Sequence, residues 1–312
     1  MTQEFIHTTV LLQEAVDALV TDPSGFYIDG TFGRGGHSSK IIQTLGPDGR
    51  LMAIDKDPEA IAYAQAHFGD EPRFEIEHGS FSEISHFAET RGMRGKVTGV
   101  LLDLGVSSPQ LDDPQRGFSF MHDGPLDMRM NTSVGESAAE WINRASEAEI
   151  ADVLYHYGEE RFSRRMAKAI IMERQTSPIL TTGRLAKIIT DANPRWEKGK
   201  NPATRAFQGI RIHINKELDD IEQCLDQALD VLAIGGVLVV ISFHSLEDRI
   251  AKRFIRKHVK GDEHLPTGVP FTQSMLNQRL RSVGKAIRAG KDELNVNPRA
   301  RSAVMRVAVK CA

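Results

Sequence analysis

Phe26-Tyr27-Ile28-Asp29-Gly30-Thr31-Phe32-Gly33-Arg34-Gly35-Gly36-His37 runs from a short apolar strand signal through a glycine-rich loop to the start of a helix. Glycines at such a turn let the backbone bend sharply and come close to a ligand. The helix behind them offers backbone N–H groups that its own turns cannot satisfy. Arg50-Leu51-Met52-Ala53-Ile54-Asp55 follows as a second strand, so Asp55 stands at a strand end 20 residues after Gly35. A carboxylate placed there accepts hydrogen bonds from a ribose diol. Loop, helix and acid together predict an adenosine site at the carboxyl edge of a parallel sheet. Taken alone, Asp55 also reads as a surface acid flanking a helix.

The same alternation extends outward. Ser38 to Leu45 reads as a helix closed by Gly46-Pro47-Asp48-Gly49. Asp57 and Pro58 suit the N-cap and first turn of a helix through Phe68. Arg73 to Glu77 is a third strand signal. Val97 to Leu104 is a fourth, apolar enough to be buried on both faces. Strands separated by helices imply a doubly wound parallel sheet. The alternation stops at Ser108, where a stretch rich in Pro, Gly, Asp and Ser begins. Helical signals follow as far as Lys216, at Ala148–His156, Arg161–Arg174 and Thr182–Asp191, with another helix opened by Asn201-Pro202. The α/β pattern resumes with a helix at Leu218–Leu232 and a strand at Val237–Phe243. A basic helix comes next, started by Ser245 with Asp248 at capping-box spacing. A last strand, Ser302 to Val309, is placed beside Lys285–Arg288. The expected organisation is an α/β domain over residues 1–112 and 217–312, interrupted by a helical domain over residues 113–216.

Of the 312 residues, 40% are hydrophobic and 26% charged, a balance typical of a soluble globular chain. No run of about 18 apolar residues is present to span a membrane. Met1 to Thr9 lacks the apolar core of a signal peptide. Only Cys224 and Cys311 occur, which fits unpaired thiols in a reducing compartment better than a disulfide framework. A cytoplasmic location is expected. The net charge of −3 hides a strong polarisation. Residues 161–216 carry +10 and residues 249–310 carry +11, leaving −24 on the remainder. Two separate basic blocks suit a polyanionic partner, although any one such block also reads as a solvated helix face.

Nicotinamide dinucleotides and S-adenosylmethionine share the loop, helix and acid. Three features favour the methyl donor. The fingerprint G-x-G-x-x-G started at Gly33 meets Ser38 where glycine or alanine is needed, and started at Gly30 it fails at Phe32. Asp29 precedes the loop, where an acid can meet the donor's ammonium group. The chain after the fifth strand supplies one basic helix and a terminal strand, not a second mononucleotide-binding half. The fold class expected is therefore α/β, a Rossmann-like class I methyltransferase sheet with an inserted helical domain. Phe81, after the third strand, suits packing on adenine or an ordinary core position. Asp103-Leu104-Gly105-Val106-Ser107-Ser108-Pro109-Gln110 leaves the fourth strand at the edge facing the transferred methyl. Amino methyltransferases often carry D/N/S-P-P-Y/F there. This chain keeps Ser108-Pro109 and has Gln110 in place of the second proline.

Longer strings carry a closer likeness. They include Tyr27 to Ser38, Leu101 to Asp112, Arg116-Gly117-Phe118-Ser119-Phe120, Gly124 to Met130, Pro202-Ala203-Thr204-Arg205, Ile241 to Arg249 and Asn297 to Ser302. With His7-Thr8-Thr9-Val10-Leu11-Leu12, they span essentially the whole chain, and in them it resembles the bacterial 16S ribosomal RNA cytosine-N4 methyltransferase family. The resemblance implies S-adenosylmethionine as methyl donor, held at Gly35, Gly36, His37, Asp55, Phe81, Asp103 and Gln110. It implies 16S ribosomal RNA in the small ribosomal subunit as partner, with the target a cytidine of the decoding region. It leaves a homodimer open. Asp103, Ser108 and Pro109 are the expected catalytic rim. There an acceptor would hold the amine while its lone pair turns toward the methyl, and a carboxylate or carbonyl would stabilise the charge growing on nitrogen.

The other chemistry-bearing residues have plainer readings beside the functional ones. His37 also suits a first-turn residue, and His244-Ser245 a strand end and N-cap. Asp112, Asp113, Asp123 and Asp127 suit turn formation better than magnesium, the histidines show no metal-ligand spacing, and no catalytic metal is expected. Trp141, Tyr155, Tyr157, Phe162 and Trp196 are candidates for base stacking, with Trp196 favoured because Arg195, Lys198 and Lys200 flank it. A nicotinamide oxidoreductase and a non-catalytic ribosome-assembly factor are the alternatives.

Overall fold

A computed structural model describes residues 9–195, 201–261 and 277–312. It divides the chain into two compact units, Met1–Gly105 with Leu218–Ala312, and Val106–Glu217. Residues 106–112, grouped with the sheet on sequence pattern, fall in the second unit. There Ser107 N-caps the helix α5 (Ser108–Asp112), and the chain has already left the sheet.

The first unit is a sheet flanked by helices. In chain order its elements are α1 (Leu12–Leu19), β1 (Phe26–Asp29), α2 (Gly36–Thr44), β2 (Arg50–Asp55), α3 (Pro58–Phe68), β3 (Phe74–His78), α4 (Ile84–Thr90) and β4 (Val97–Asp103). It continues in α11 (Glu217–Val231, from Leu218), β5 (Leu232–Ser242), α12 (Ser245–Lys260), β6 (Leu280–Ser282), α13 (Lys291–Val296) and β7 (Val304–Lys310). The strand order is β3-β2-β1-β4-β5-β7-β6. The first five strands pair in parallel, while β7 runs antiparallel to β5 and β6 antiparallel to β7. This is the expected Rossmann-like sheet, with an antiparallel edge.

Register explains how distant residues meet. Asp29 lies beside Leu101 on β4, Asp103 beside Ile241 on β5, and Asp55 beside His78 on β3. The carboxyl ends of all five parallel strands therefore share one edge. The order reverses between β1 and β4, and at such a switch point the loops diverge and open a crevice. Each face of the sheet has its own apolar core. Ile41, Leu51, Leu101 and Val239 are fully buried in one, and Ile28, Ile54, Leu102, Cys224 and Val240 in the other. Burial on both faces is why β4 and β5 read as almost continuous apolar runs.

Several local expectations shift. The helix α1 had no strong sequence signal. It starts at Leu11, a fully buried residue at φ 51°, whose N–H donates to Glu293 Oε1 at 2.8 Å. A long-range hydrogen bond thus supplies the start that a capping side chain usually supplies. Asp57 caps α3 as expected, accepting from the Glu59 N–H at 2.9 Å. At α12 the cap moves by one residue: His244 is the N-cap and Glu247 the third helical residue, so Ser245 is already helical. The physical cause is Glu247, fully buried, whose Oε2 accepts the N–H groups of Phe243 (2.7 Å) and His244 (3.2 Å). The terminal strand pairs with β5 on one side and with Leu280–Ser282 on the other, and Ile287 adds only a single bridge to Met305.

The second unit has its own core around Trp141, Leu154, Met166, Ile189, Phe207 and Ile210. Besides α5 it contains α6 (Ala138–Arg144), α7 (Glu147–His156), α8 (Ser163–Thr176), α9 (Thr182–Ala192) and α10 (Ala203–Asn215). Ser137 and Ser146 each close a capping box, with Glu140 and Glu149. Asn215 ties the aperiodic stretch to α10: its amide donates to the Met128 carbonyl, and its oxygen accepts the Met130 N–H, both at 2.7 Å. Asp123 accepts the Gly183 N–H at 2.7 Å, and Asp127 pairs with Arg129 at 2.7 Å, so both acids are engaged in holding turns. Trp141 lies in this core at 2% exposure, which removes it as a base-stacking candidate. Tyr155 remains exposed, and Trp196 lies outside the described residues.

Gly209 on α10 sets how closely that helix approaches α7. A methyl group there would lie 2.7 Å from the Gly158 nitrogen and 3.1 Å from the Val153 carbonyl oxygen. Both obstacles are backbone and cannot rotate away. Gly209→Ala is expected to destabilise this unit by about 1–3 kcal/mol, the scale of overpacking a core. Urea unfolding followed by circular dichroism checks it; a midpoint equal to wild type would show that the helices separate without cost.

Candidate active site

The glycine loop is built by the chain's own packing before any ligand is considered. Gly33 and Gly35 have φ values of +57° and +71°, in the left-handed region that a side chain disfavours. A methyl group on Gly35 would lie 2.7–2.8 Å from the Phe68 and Phe32 rings, and one on Gly36 would lie 1.9 Å from Thr9 Oγ1. These two glycines are therefore demanded internally as well as by any bound nucleoside.

Asp55 closes the loop from the second strand. Its Oδ2 accepts the Gly33 N–H at 2.7 Å and its Oδ1 accepts the Asp57 N–H at 2.8 Å. Burial outweighs these bonds and pushes its carboxyl up to about 6. Asp29 takes a different part from the one its position suggested. Its carboxylate, 1% exposed, accepts the Ser38 hydroxyl at 2.7 Å and the Thr31 N–H at 3.1 Å. It braces the loop from within, and burial raises its pKa as well.

Asp103 ends β4 on the same edge. Thr31 Oγ1 accepts its N–H at 2.7 Å, tying the strand end to the glycine loop. Its Oδ2 lies 3.4 Å from Nδ1 of His37, the second residue of α2 and almost fully buried. Its Oδ1 is buried with no hydrogen-bond partner among the described residues. Burial, and then the negative charges of Asp29 and Glu247, hold its carboxyl well above the usual range. An acceptor in that condition gains from a cationic or N–H donor. The ammonium group of S-adenosylmethionine or an exocyclic amine is such a donor, so the residues present fit the cofactor.

Phe81 is half-buried just beyond β3. Its Cβ would lie 3.2 Å from a methyl on Gly30, and Lys56 Nζ stands 5.9 Å from its ring centroid. Gly35, Gly36, His37, Asp55, Phe81 and Asp103 thus gather at the carboxyl edge of one sheet. Ser108, Pro109 and Gln110 belong to the second unit and form the first turn of α5. Gln110 is a capping residue there: it is 5% exposed, and its Oε1 accepts the Ser107 N–H at 2.9 Å. Glu247 is the polar residue at this edge that sequence reasoning passed over. Its spacing from His244 was the available signal, since a carboxylate at the third helical position caps the strand-to-helix turn.

The model of the MraW methylase family matches residues 4–311. The chain is 58% identical over 307 residues to the ribosomal RNA small subunit methyltransferase H of Chromohalobacter salexigens, covering 98% of this chain and 92% of that protein. Among solved structures it is similar to an rRNA methylase from Streptococcus thermophilus, at 9% identity and a TM-score of 0.41 over 96% of this chain and 92% of that one. A second is an S-adenosylmethionine-dependent O-methyltransferase from Thermotoga maritima, at 11% identity and a TM-score of 0.41, covering 98% and 68%. At those scores the strand order, not the superposition, defines the fold. The extent of the family match, nearly end to end, decides the assignment: the chain belongs to the MraW methylase family and is an S-adenosylmethionine-dependent methyltransferase.

Proposed function

We propose that this enzyme methylates the exocyclic N4 of a cytidine in the decoding region of 16S ribosomal RNA, acting on the small ribosomal subunit in the cytoplasm. The observation that carries this reading is the 58% identity, over almost the whole chain, to a ribosomal RNA small subunit methyltransferase. The cytidine and its position rest on the family strings that run from His7 to Ser302. The edge geometry supports amine chemistry, because Asp103 offers a buried acceptor oxygen where β4 ends.

When bound, S-adenosylmethionine supplies a methyl group made electrophilic by its sulfonium. The chain's own residues do the rest. Asp55 would accept the ribose hydroxyls, Phe81 would pack on the adenine, and Gly33 to Gly36 would let the loop approach the nucleoside. Asp103 accepts an N–H, from the donor's ammonium or from the target amine, and favours positive charge as it develops beside the carboxylate. His37, packed at 3.4 Å from Asp103, fixes the rotamer of that carboxylate. The family strings assign Gln110 to donor binding and Ser108 and Pro109 to the catalytic rim, and those three roles rest on the resemblance.

Three outcomes test this reading. Ribosomal RNA from cells lacking the protein should lose the N4-methyl mark on one decoding-region cytidine, read by mass spectrometry; an unchanged modification profile would refute the substrate. Asp103→Asn should keep the fold and lower turnover by roughly 100-fold or more. Parallel titration of donor affinity separates the two acceptor roles, and full turnover in a folded variant would end both.

The third outcome follows from Asp55. Its folded-state pKa of about 6 lies above the ordinary value of 3.8. The buried ionised form therefore costs stability as pH rises through that window. The ionised carboxylate accepts from both ribose hydroxyls through charge-assisted bonds, whereas the protonated form is a weaker acceptor and uses one oxygen to carry its own proton. Donor affinity should fall as pH drops through about 6, and calorimetry on Asp55→Asn should show no such inflection. Asp55→Ala should lose about 1–3 kcal/mol of donor binding at neutral pH. An inflection that persists in Asp55→Asn would assign it to another group.

A further inference from the structure

The second basic block becomes an ordered surface on α12. Arg249, Lys252, Arg253, Arg256, Lys257 and Lys260 recur at helical spacing, three or four residues apart, with no acid among them. The opposite face, with Leu246, Ala251 and Ile255, is buried against the sheet. Lys252, Arg253, Arg256 and Lys257 are exposed, and among the described residues they form no ion pair. The helix's acids are confined to its first turn. Glu247 is buried in the cap, and Asp248 is engaged by Arg306 at 2.7 Å.

Such a stripe opposes the helix that carries it, because like charges four residues apart repel. The helix dipole favours cations only in the last turn, which accounts for Lys257 and Lys260 but not for Lys252 and Arg253. The stripe also extends beyond the helix. The Arg279 N–H donates to the His258 carbonyl at 3.0 Å, and this brings β6 alongside, with Arg281 exposed on it. Its starting point is informative. The first turn of α12 follows the carboxyl end of β5, where Ile241 lies beside Asp103. From Arg249 to Lys260 the stripe runs for about 16 Å at 1.5 Å per residue, leading away from the edge at which methyl transfer takes place.

We infer that the exposed cationic face of α12, from Lys252 to Lys257, binds the phosphate backbone of the RNA strand flanking the target base. This rests on the proposal that the substrate is RNA. Phosphate interactions supply much of the affinity and fix register without reading sequence. That suits a face made of flexible cations with no aromatic side chain exposed on the helix. The sheet unit then holds its own RNA, independently of the basic segment near Arg195, of which residues 196–200 lie outside the described structure.

The test replaces Lys252, Arg253, Arg256 and Lys257 together by glutamine, which keeps helix propensity and removes charge. Filter binding to small-subunit ribosomal RNA is titrated over salt, with S-adenosylmethionine affinity measured by calorimetry. The variant should bind RNA at least about tenfold more weakly, and its log–log salt slope should fall by roughly 0.9 for each phosphate that is no longer neutralised. Donor affinity should not change, which also shows that the sheet unit is folded. A variant with wild-type RNA affinity and slope overturns this inference alone. A wild type without RNA affinity at low salt overturns it together with the substrate. If the substitutions abolish binding to phosphatidylserine vesicles and leave RNA binding intact, the face serves a membrane and the inference fails.

Discussion

The hydrogen bond from the Gly33 N–H to Asp55 holds the rest of the catalytic edge in place. It joins the loop after β1 to the end of β2 at 2.7 Å, and the other oxygen of the same carboxylate begins α3 through Asp57. One partly buried group therefore closes the glycine loop and supports the start of a helix, and under the proposed function it also faces the ribose. Burial raises its pKa, so its ionised form is short of partners, and a diol is the kind of ligand that restores them.

The second constraint is a concentration of negative charge under low solvation. Asp29, Asp103 and Glu247 come from the ends of β1 and β4 and the start of α12, and the sheet's register leaves them little room to separate. Asp29 is satisfied on both oxygens, and Glu247 on the one that caps α12, its other oxygen lying 3.1 Å from His244 Nε2. Asp29 is bonded to Ser38 and Thr31, and Glu247 to the backbone of Phe243 and His244. Asp103 keeps a buried oxygen without a partner among the described residues. A buried acceptor left in that state is costly unless a donor arrives. That cost is the physical ground for the role proposed for Asp103, whereas the bonds of Asp29 are already made within the loop.

The two units solve different problems. The first buries apolar residues on both faces of its sheet and so can carry a polar edge without losing its core. The second is a set of short helices around one core, stopped and started by Ser–Glu capping boxes and by asparagine and arginine side chains that bond loop carbonyls. Arginines such as Arg116 and Arg174 are engaged in holding the fold, whereas Lys252, Arg253, Arg256 and Lys257 on α12 are exposed.

The sequence alone determined the alternation of strands and helices, the glycine loop with Asp55 at the next strand end, and Asp103 close to the end of the fourth strand. These signals are local: an apolar run, a turn that needs glycine, a helix opened by Asp57-Pro58. Only the tertiary structure decided what the acids do. Asp29 and Asp55 look alike as strand-end carboxylates, and they differ because Ser38 folds back onto one while backbone N–H groups meet the other. The helix α1 and the true cap of α12 were also hidden, since each depends on a glutamate, Glu293 or Glu247, whose role comes from burial and from where neighbouring chain passes. The capping contact of Gln110 was hidden too, although the resemblance named the residue. A glutamine after a proline reads as solvated until its amide is seen closing the turn from Ser107. Hydrogen bonds between residues far apart in sequence have no local pattern, so they enter only with the fold.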